Sequence, residues 1–68
     1  MLIFSKRIIE LRSLNHFSQR HMAKFLDISQ AAYFRYENGS AEPSQEMLVK
    51  IADIFDVTID YLLGRAEY

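Results

Sequence analysis

The sequence has no cysteine and no tryptophan, and only one proline and two glycines in 68 residues. Without cysteine, neither a disulfide framework nor a cysteine-based zinc site can be built. No apolar run exceeds a few residues, so nothing here is long enough to span a bilayer, and the N-terminus lacks the apolar core of a signal peptide. There is no glycine-rich phosphate loop. The two histidines, His16 and His21, have no acidic residue spaced to orient either of them. These absences exclude the common catalytic and metal-binding constellations, and no catalytic residue, metal ligand or cofactor is expected. There is no internal repeat and no low-complexity segment. The one candidate loop of any length is "NGSAEP", residues 38–43.

What is present is apolar and unevenly charged. Half of the residues are hydrophobic, enough for the thin core of one small domain over residues 1–68. The net charge is −1, but it is split. Residues 1–35 carry Lys6, Arg7, Arg12, Arg20, Lys24 and Arg35 against Glu10 and Asp27, a balance of +4. Residues 36–68 carry Lys50 and Arg65 against Glu37, Glu42, Glu46, Asp53, Asp56, Asp60 and Glu67, a balance of −5. A basic half joined to an acidic half offers one surface to a polyanion. Two ordinary solvated faces account for the same numbers.

The local pattern is more decisive. A Ser or Thr preceded by an apolar residue, with a second apolar residue five positions after the first, is an N-cap with a hydrophobic staple. The hydroxyl accepts from an orphan helix N–H and the apolar pair fixes the entry angle. Phe4-Ser5 with Ile9, Phe17-Ser18 with Met22, Ile28-Ser29 with Tyr33, and Val57-Thr58 with Leu62 all fit, and Pro43-Ser44 leads to Leu48. Five starts predict a compact all-α bundle with helices near 6–14, 19–26, 30–37, 45–55 and 59–63. The apolar spacing agrees. Phe4, Ile8 and Leu11 share a face, as do Met22, Ala23 and Leu26, and Tyr33 with Tyr36. Leu48, Ile51, Ala52 and Phe55 form an i, i+3, i+4, i+7 stripe, and Val57, Ile59, Leu62 and Leu63 close the core.

Between the second and third helices only Asp27, Ile28 and Ser29 intervene. A turn that short forces a steep crossing, with Ala23 allowing close approach and Ile28 filling the corner, so residues 19–37 form a helix-turn-helix unit. Its first helix must end on a residue of positive φ. Glycine tolerates this best, and Asn, Asp and His come next, so Asp27 is the expected left-handed cap. His16 and Asp56 occupy equivalent places after the first and fourth helices, where a plain surface loop is the competing reading. Gly39 follows the third helix.

The stretches "KRIIELR" (6–12), "FSQRHMAKFLDIS" (17–29), "YFRYENG" (33–39), "PS" (43–44) and "LVKIADIFDVTIDYLLG" (48–64) together resemble the Xre/Cro-type helix-turn-helix family of phage repressors and small bacterial regulators. Order and spacing carry the likeness over nearly the whole chain. The chain departs from that pattern at His16, Asp27 and Asp56, where the family commonly has glycine or asparagine, and at Tyr33, where it usually has a smaller aliphatic. The resemblance implies a lambda-repressor-like fold and a regulator of the repressor kind. It would bind double-stranded DNA at a palindromic operator, as a homodimer in a bacterial or phage-infected cytoplasm, with no membrane and no cofactor. It also implies a shielded ion pair between Arg12 and Glu37, and a Gln19 that contacts phosphate and buttresses Gln30. Asn38 would offer a further phosphate contact, with Arg20 and Lys24 where backbone charge is met.

With Tyr33 and Tyr36 inward, Gln30, Ala31, Phe34 and Arg35 take the outward face of the third helix, whose N-terminal residues meet base edges in a major groove. Gln30 suits adenine N6 and N7, and Arg35 suits guanine O6 and N7. Phe34 can touch a thymine methyl, and the bare Ala31-Ala32 pair lets the backbone approach. The bland alternatives are solvated first-turn residues and helix propensity. An exposed Phe34 also fits a protein-interaction module on the same fold, antitoxin-like or co-regulatory, with little DNA affinity. Apolar residues of "VTIDYLLGRAEY", Tyr61 with Ile54 and Tyr68, are expected to lie off the core-facing stripe and to supply a two-fold contact.

Overall fold

The computed structural model of the chain describes residues 2–67, Leu2 for its backbone only. Tyr68 lies outside the described residues. There are five helices and, among the described residues, no strand: α1 (Leu2–Leu14), α2 (Gln19–Leu26), α3 (Gln30–Asn38), α4 (Gln45–Phe55) and α5 (Ile59–Leu62). None of them is long and apolar enough to cross a membrane.

Four of the five expected caps form. Ser18, Ser29, Ser44 and Thr58 hold extended φ/ψ, and their hydroxyls accept from the N–H of His21, Ala32, Met47 and Tyr61 at 3.0–3.1 Å. Each satisfies one donor that the helix start leaves unpaired.

The fifth does not. α1 starts at Leu2, a turn earlier than expected, so Ser5 lies inside the helix. Ser5 is buried, and its hydroxyl donates to the carbonyl of Tyr36 at 2.5 Å, in the last turn of α3. Carbonyls there lack an intrahelical partner, so the serine serves the end of another helix instead of the start of its own. The staple fails for the same reason. Phe4 is 1% exposed in the core, whereas Ile9 faces out.

The core gathers the inward stripes: Phe4, Ile8 and Leu11 of α1, Met22, Ala23 and Leu26 of α2, Tyr33 of α3, Leu48, Ile51, Ala52 and Phe55 of α4, and Leu62 of α5. Ile54 and Tyr61, expected off the core-facing stripe, are half-buried against this cluster. Tyr61 lies under Arg7, whose guanidinium carbon is 4.1 Å from the ring centroid. The same guanidinium donates to the carbonyls of Tyr61 and Ala66 at 3.0 and 2.9 Å, drawing the segment after α5 onto α1.

Candidate nucleic-acid interface

α2 ends because Asp27 takes the left-handed conformation, φ 57° and ψ 45°. Its N–H and that of Ile28 turn back to the carbonyls of Lys24 and Ala23, at 3.2 and 3.0 Å. This closes the carbonyl end with hydrogen bonds to the last turn. Ile28 is half-buried and packs against the core, Ser29 caps the next helix, and α3 starts at once. An aspartate in place of glycine therefore produces the abrupt corner. His16 (φ 58°) and Asp56 (φ 53°) do the same after α1 and α4. At α2 the cap is reciprocal, because the N–H of Ser18 donates to Nδ1 of His21 at 3.2 Å. The sequence signal for this was a side-chain acceptor three residues after the cap. It is easily missed because Glu or Gln usually holds that place.

α3 is divided lengthwise. Tyr33 and Glu37 are buried and Tyr36 is half-buried, while Gln30, Ala31, Phe34, Arg35 and Asn38 are exposed. The inward side is held by a polar junction. Arg12 of α1 donates to Glu37 through Nε and Nη2, at 2.6 and 3.1 Å, in a two-pronged pair. A third donor, Nη1, reaches the carbonyl of Phe17 at 3.0 Å. Gln19, at the start of α2, donates its amide nitrogen to Glu37 at 2.9 Å. One carboxylate thus joins α1, α2 and α3.

The side chain of Glu37 is 4% exposed. Burial pushes its carboxyl upward, but hydrogen bonding from Arg12, the nearby Tyr33 hydroxyl and hydrogen bonding from Gln19 together outweigh that and leave it below the ordinary value. The hydrogen bond to Glu37 raises Arg12 in turn, against a smaller opposing effect of burial. Tyr33 sits beside the pair with its hydroxyl buried and short of a well-formed hydrogen bond. Burial first, and then the neighbouring carboxylate, push this phenol far above its usual range.

Gln19 is committed on its inward side. Its amide donates to Glu37, a buried carboxylate and so a strong acceptor, and among the described residues no hydrogen bond joins it to Gln30. Its amide nitrogen keeps a second hydrogen. Asn38 uses its side-chain oxygen to accept from the N–H of Ser40 at 2.9 Å, so its amide nitrogen is the group left to donate outward. Arg20 and Lys24 are exposed on α2, four residues apart and so on one face.

The family model described as helix-turn-helix matches residues 8–62, which runs from the middle of α1 to the end of α5. The chain belongs to the helix-turn-helix family. Within it, the chain is 44% identical over 61 residues to the HTH-type transcriptional regulator AnsR of Bacillus subtilis, a match covering 90% of this chain and 53% of AnsR. It is 40% identical over 60 residues to the cryptic phage CTXphi transcriptional repressor RstR of Vibrio cholerae, covering 88% of this chain and 54% of that one. The HTH-type transcriptional activator BcrR of Enterococcus faecalis is 34% identical over 64 residues, which is 94% of this chain and 31% of BcrR. This helix-turn-helix chain thus spans about half the length of AnsR and RstR. No solved structure matches it.

Proposed function

We propose that this chain is the sequence-reading part of a transcriptional regulator, a repressor, which lays α3 in the major groove of double-stranded DNA. The observation that carries the reading is the division of α3. Its inward side is fixed by Tyr33 and by the Arg12–Glu37–Gln19 junction. Its outward side presents Gln30, Ala31, Phe34 and Arg35 to solvent. A rigid helix with a free outward face fits the groove, and its side chains there suit base edges. Gln30 would read adenine, Arg35 guanine. The second N–H of the Gln19 amide, the Asn38 amide, Arg20 and Lys24 would meet phosphates. A homodimer would present two such helices to half-sites of a palindrome roughly 34–36 Å apart. A strict monomer in sedimentation, both free and on a palindromic duplex, removes the dimer from this proposal.

The test is selection of bound duplexes from a random pool, followed by affinities for the selected operator and for random duplex at two salt concentrations. Arg35→Ala and Gln30→Ala should each lower the operator-to-random ratio, by about 1–3 kcal/mol for one well-made base contact. Asn38→Ala should weaken both duplexes alike and leave the salt slope unchanged. Lys24→Ala should reduce that slope by about one unit. If both base-reading variants keep the wild-type ratio, α3 does not read bases.

The second reading is a protein-interaction module. Phe34, 48% exposed on a net acidic chain, favours it. Such a module shows no steep loss of duplex binding as salt rises.

A further inference from the structure

Of the asparagines, Asn15 and Asn38, only Asn38 is followed by glycine. Asn38 is the last residue of α3 and is exposed. Its side-chain Oδ1 accepts from the N–H of Ser40 at 2.9 Å. A donor placed there stabilises negative charge on that oxygen and so makes Cγ a better electrophile. The nearest main-chain nucleophile along the chain is the nitrogen of Gly39, whose bond to Cγ would close a succinimide ring. Gly39 holds φ 81°, and a Cβ built on it would meet nothing nearer than the hydroxyl of Ser5 at 3.9 Å, so no neighbour crowds this turn. The Gly39 N–H is also loosely held. Its acceptor is the carbonyl of Arg35, and the same oxygen takes the N–H groups of Ser40 and Ala41 at 3.1 and 3.2 Å. A carbonyl has two lone pairs, so these donors compete for it. Asn15 is the contrast. Its Nδ2 donates to the carbonyl of Leu11 at 2.8 Å, and the residue after it, His16, carries a bulky side chain.

We propose that Asn38-Gly39 is a self-modifying site that converts a phosphate-facing amide into a carboxylate. The Gly39 nitrogen bonds to Cγ of Asn38. Its proton leaves with the side-chain amine as ammonia, and a succinimide remains. Water then opens the ring. Attack at Cγ gives aspartate and restores the peptide bond; attack at the main-chain carbonyl gives isoaspartate and routes the backbone through the side chain. Nothing is oxidised or reduced, and water is the only co-reactant. The consequence rests on the DNA-reading function above, whereas the chemistry does not. The amide nitrogen of Asn38 is the donor proposed to meet a phosphate, and either product replaces it with a negative charge at the end of α3. The charge repels the phosphate that the amide would hold. Age of the molecule then sets its grip on DNA.

The experiment incubates the wild-type chain, Gly39→Ala and Asn38→Gln in warm, mildly alkaline buffer, with folding followed by circular dichroism. Intact mass and the tryptic peptide 36–50 report the exchange of –NH2 for –OH, and isoaspartate is scored by enzymatic methylation. The expected result is a gain at Asn38 well ahead of any at Asn15. Gly39→Ala, which keeps Asn38 but adds a Cβ beside the attacking nitrogen, should react several-fold more slowly. Asn38→Gln should stay unreacted in this peptide. The site is overturned if folded wild-type chain leaves peptide 36–50 unchanged, if Asn15 reacts as fast, or if Gly39→Ala keeps the wild-type rate. Reacted chain, separated by anion exchange, should bind operator and random duplex about tenfold more weakly, with their ratio kept, since a phosphate contact carries no sequence information. Unchanged affinity for both duplexes overturns the link to DNA binding. If fresh wild-type chain does not prefer operator to random duplex, the DNA-reading function itself fails, while the mass readout still decides the site.

Discussion

The same corner is built at two places in this molecule. After α2, Asp27 takes φ 57°, Ile28 N–H returns to Ala23 at 3.0 Å, and Ser29 caps α3. After α4, Asp56 takes φ 53°, Val57 N–H returns to Ala52 at 3.0 Å, and Thr58 caps α5. Backbone, apolar plug and cap agree. The difference lies in what each corner launches. α3 runs nine residues with an uncommitted outward face, whereas α5 runs four and has Leu62 fully buried. The turn sets a crossing angle; the side chains beyond it decide whether that angle is used for reading or for closing the core. Each launched helix is also drawn back to α1 by an arginine, and here the chemistry diverges. Arg12 holds the carboxylate of Glu37, while Arg7 holds the carbonyls of Tyr61 and Ala66.

The largest effect should come from breaking the α3 tether. Glu37→Ala leaves Arg12 half-buried without its partner and frees Gln19, and is expected to lower stability by more than about 1.5 kcal/mol in denaturant unfolding. A change within about 0.5 kcal/mol, the range of ordinary surface substitutions, would mean that the junction contributes nothing. The tether also titrates. Because the folded carboxyl of Glu37 lies below its ordinary value of 4.5, its stabilisation is complete above that value and is lost as pH falls through the folded one. Stability measured from about pH 6 down to about pH 3 should therefore fall less steeply in Glu37→Gln than in the wild type.

Arg7→Ala tests the other tether. Two charge-assisted hydrogen bonds near the chain end should be worth about 1 kcal/mol after screening. Among the described residues no acid pairs with Arg7, so the acid slope should match the wild type. An altered slope would show that the two tethers are not separate.

The smallest effect sharpens the likeness itself. Aspartate at positive φ is tolerated but strained, so Asp27→Gly and Asp56→Gly should each raise stability by about 0.5 kcal/mol. Equal gains follow if the corners are the same device. A gain at one and a loss at the other would mean that one aspartate side chain has a role the corner alone does not explain.

What could be read from the chain was whatever its partners kept close in sequence. Ser18, Ser29, Ser44 and Thr58 cap donors three residues away, and the left-handed residues His16, Asp27 and Asp56 follow from their place between helices. Ser5 had the same local signature and misled, because its partner lies 31 residues on, at the end of α3. Arg7 gave no signal at all. Its acceptors are main-chain carbonyls 54 and 59 residues away, and every residue has a carbonyl. Arg12 and Glu37 were paired only through the family resemblance, since nothing local joins residues 25 apart. The bond from Gln19 to Glu37 was hidden by the competing assignment of Gln19 to Gln30. The outward face of α3 was legible as a remainder, the residues left once Tyr33 and Tyr36 had been turned inward.

The buried hydroxyl of Tyr33 gives the molecule a built-in optical reporter. There is no tryptophan, so its near-ultraviolet absorbance is dominated by tyrosine. Burial, and then the carboxylate beside it, oppose loss of the Tyr33 proton while the core is closed, so opening the core should make this phenol easier to ionise. The rise in phenolate absorbance from this one ring in alkali therefore follows the opening of the α1–α3 junction without any attached label.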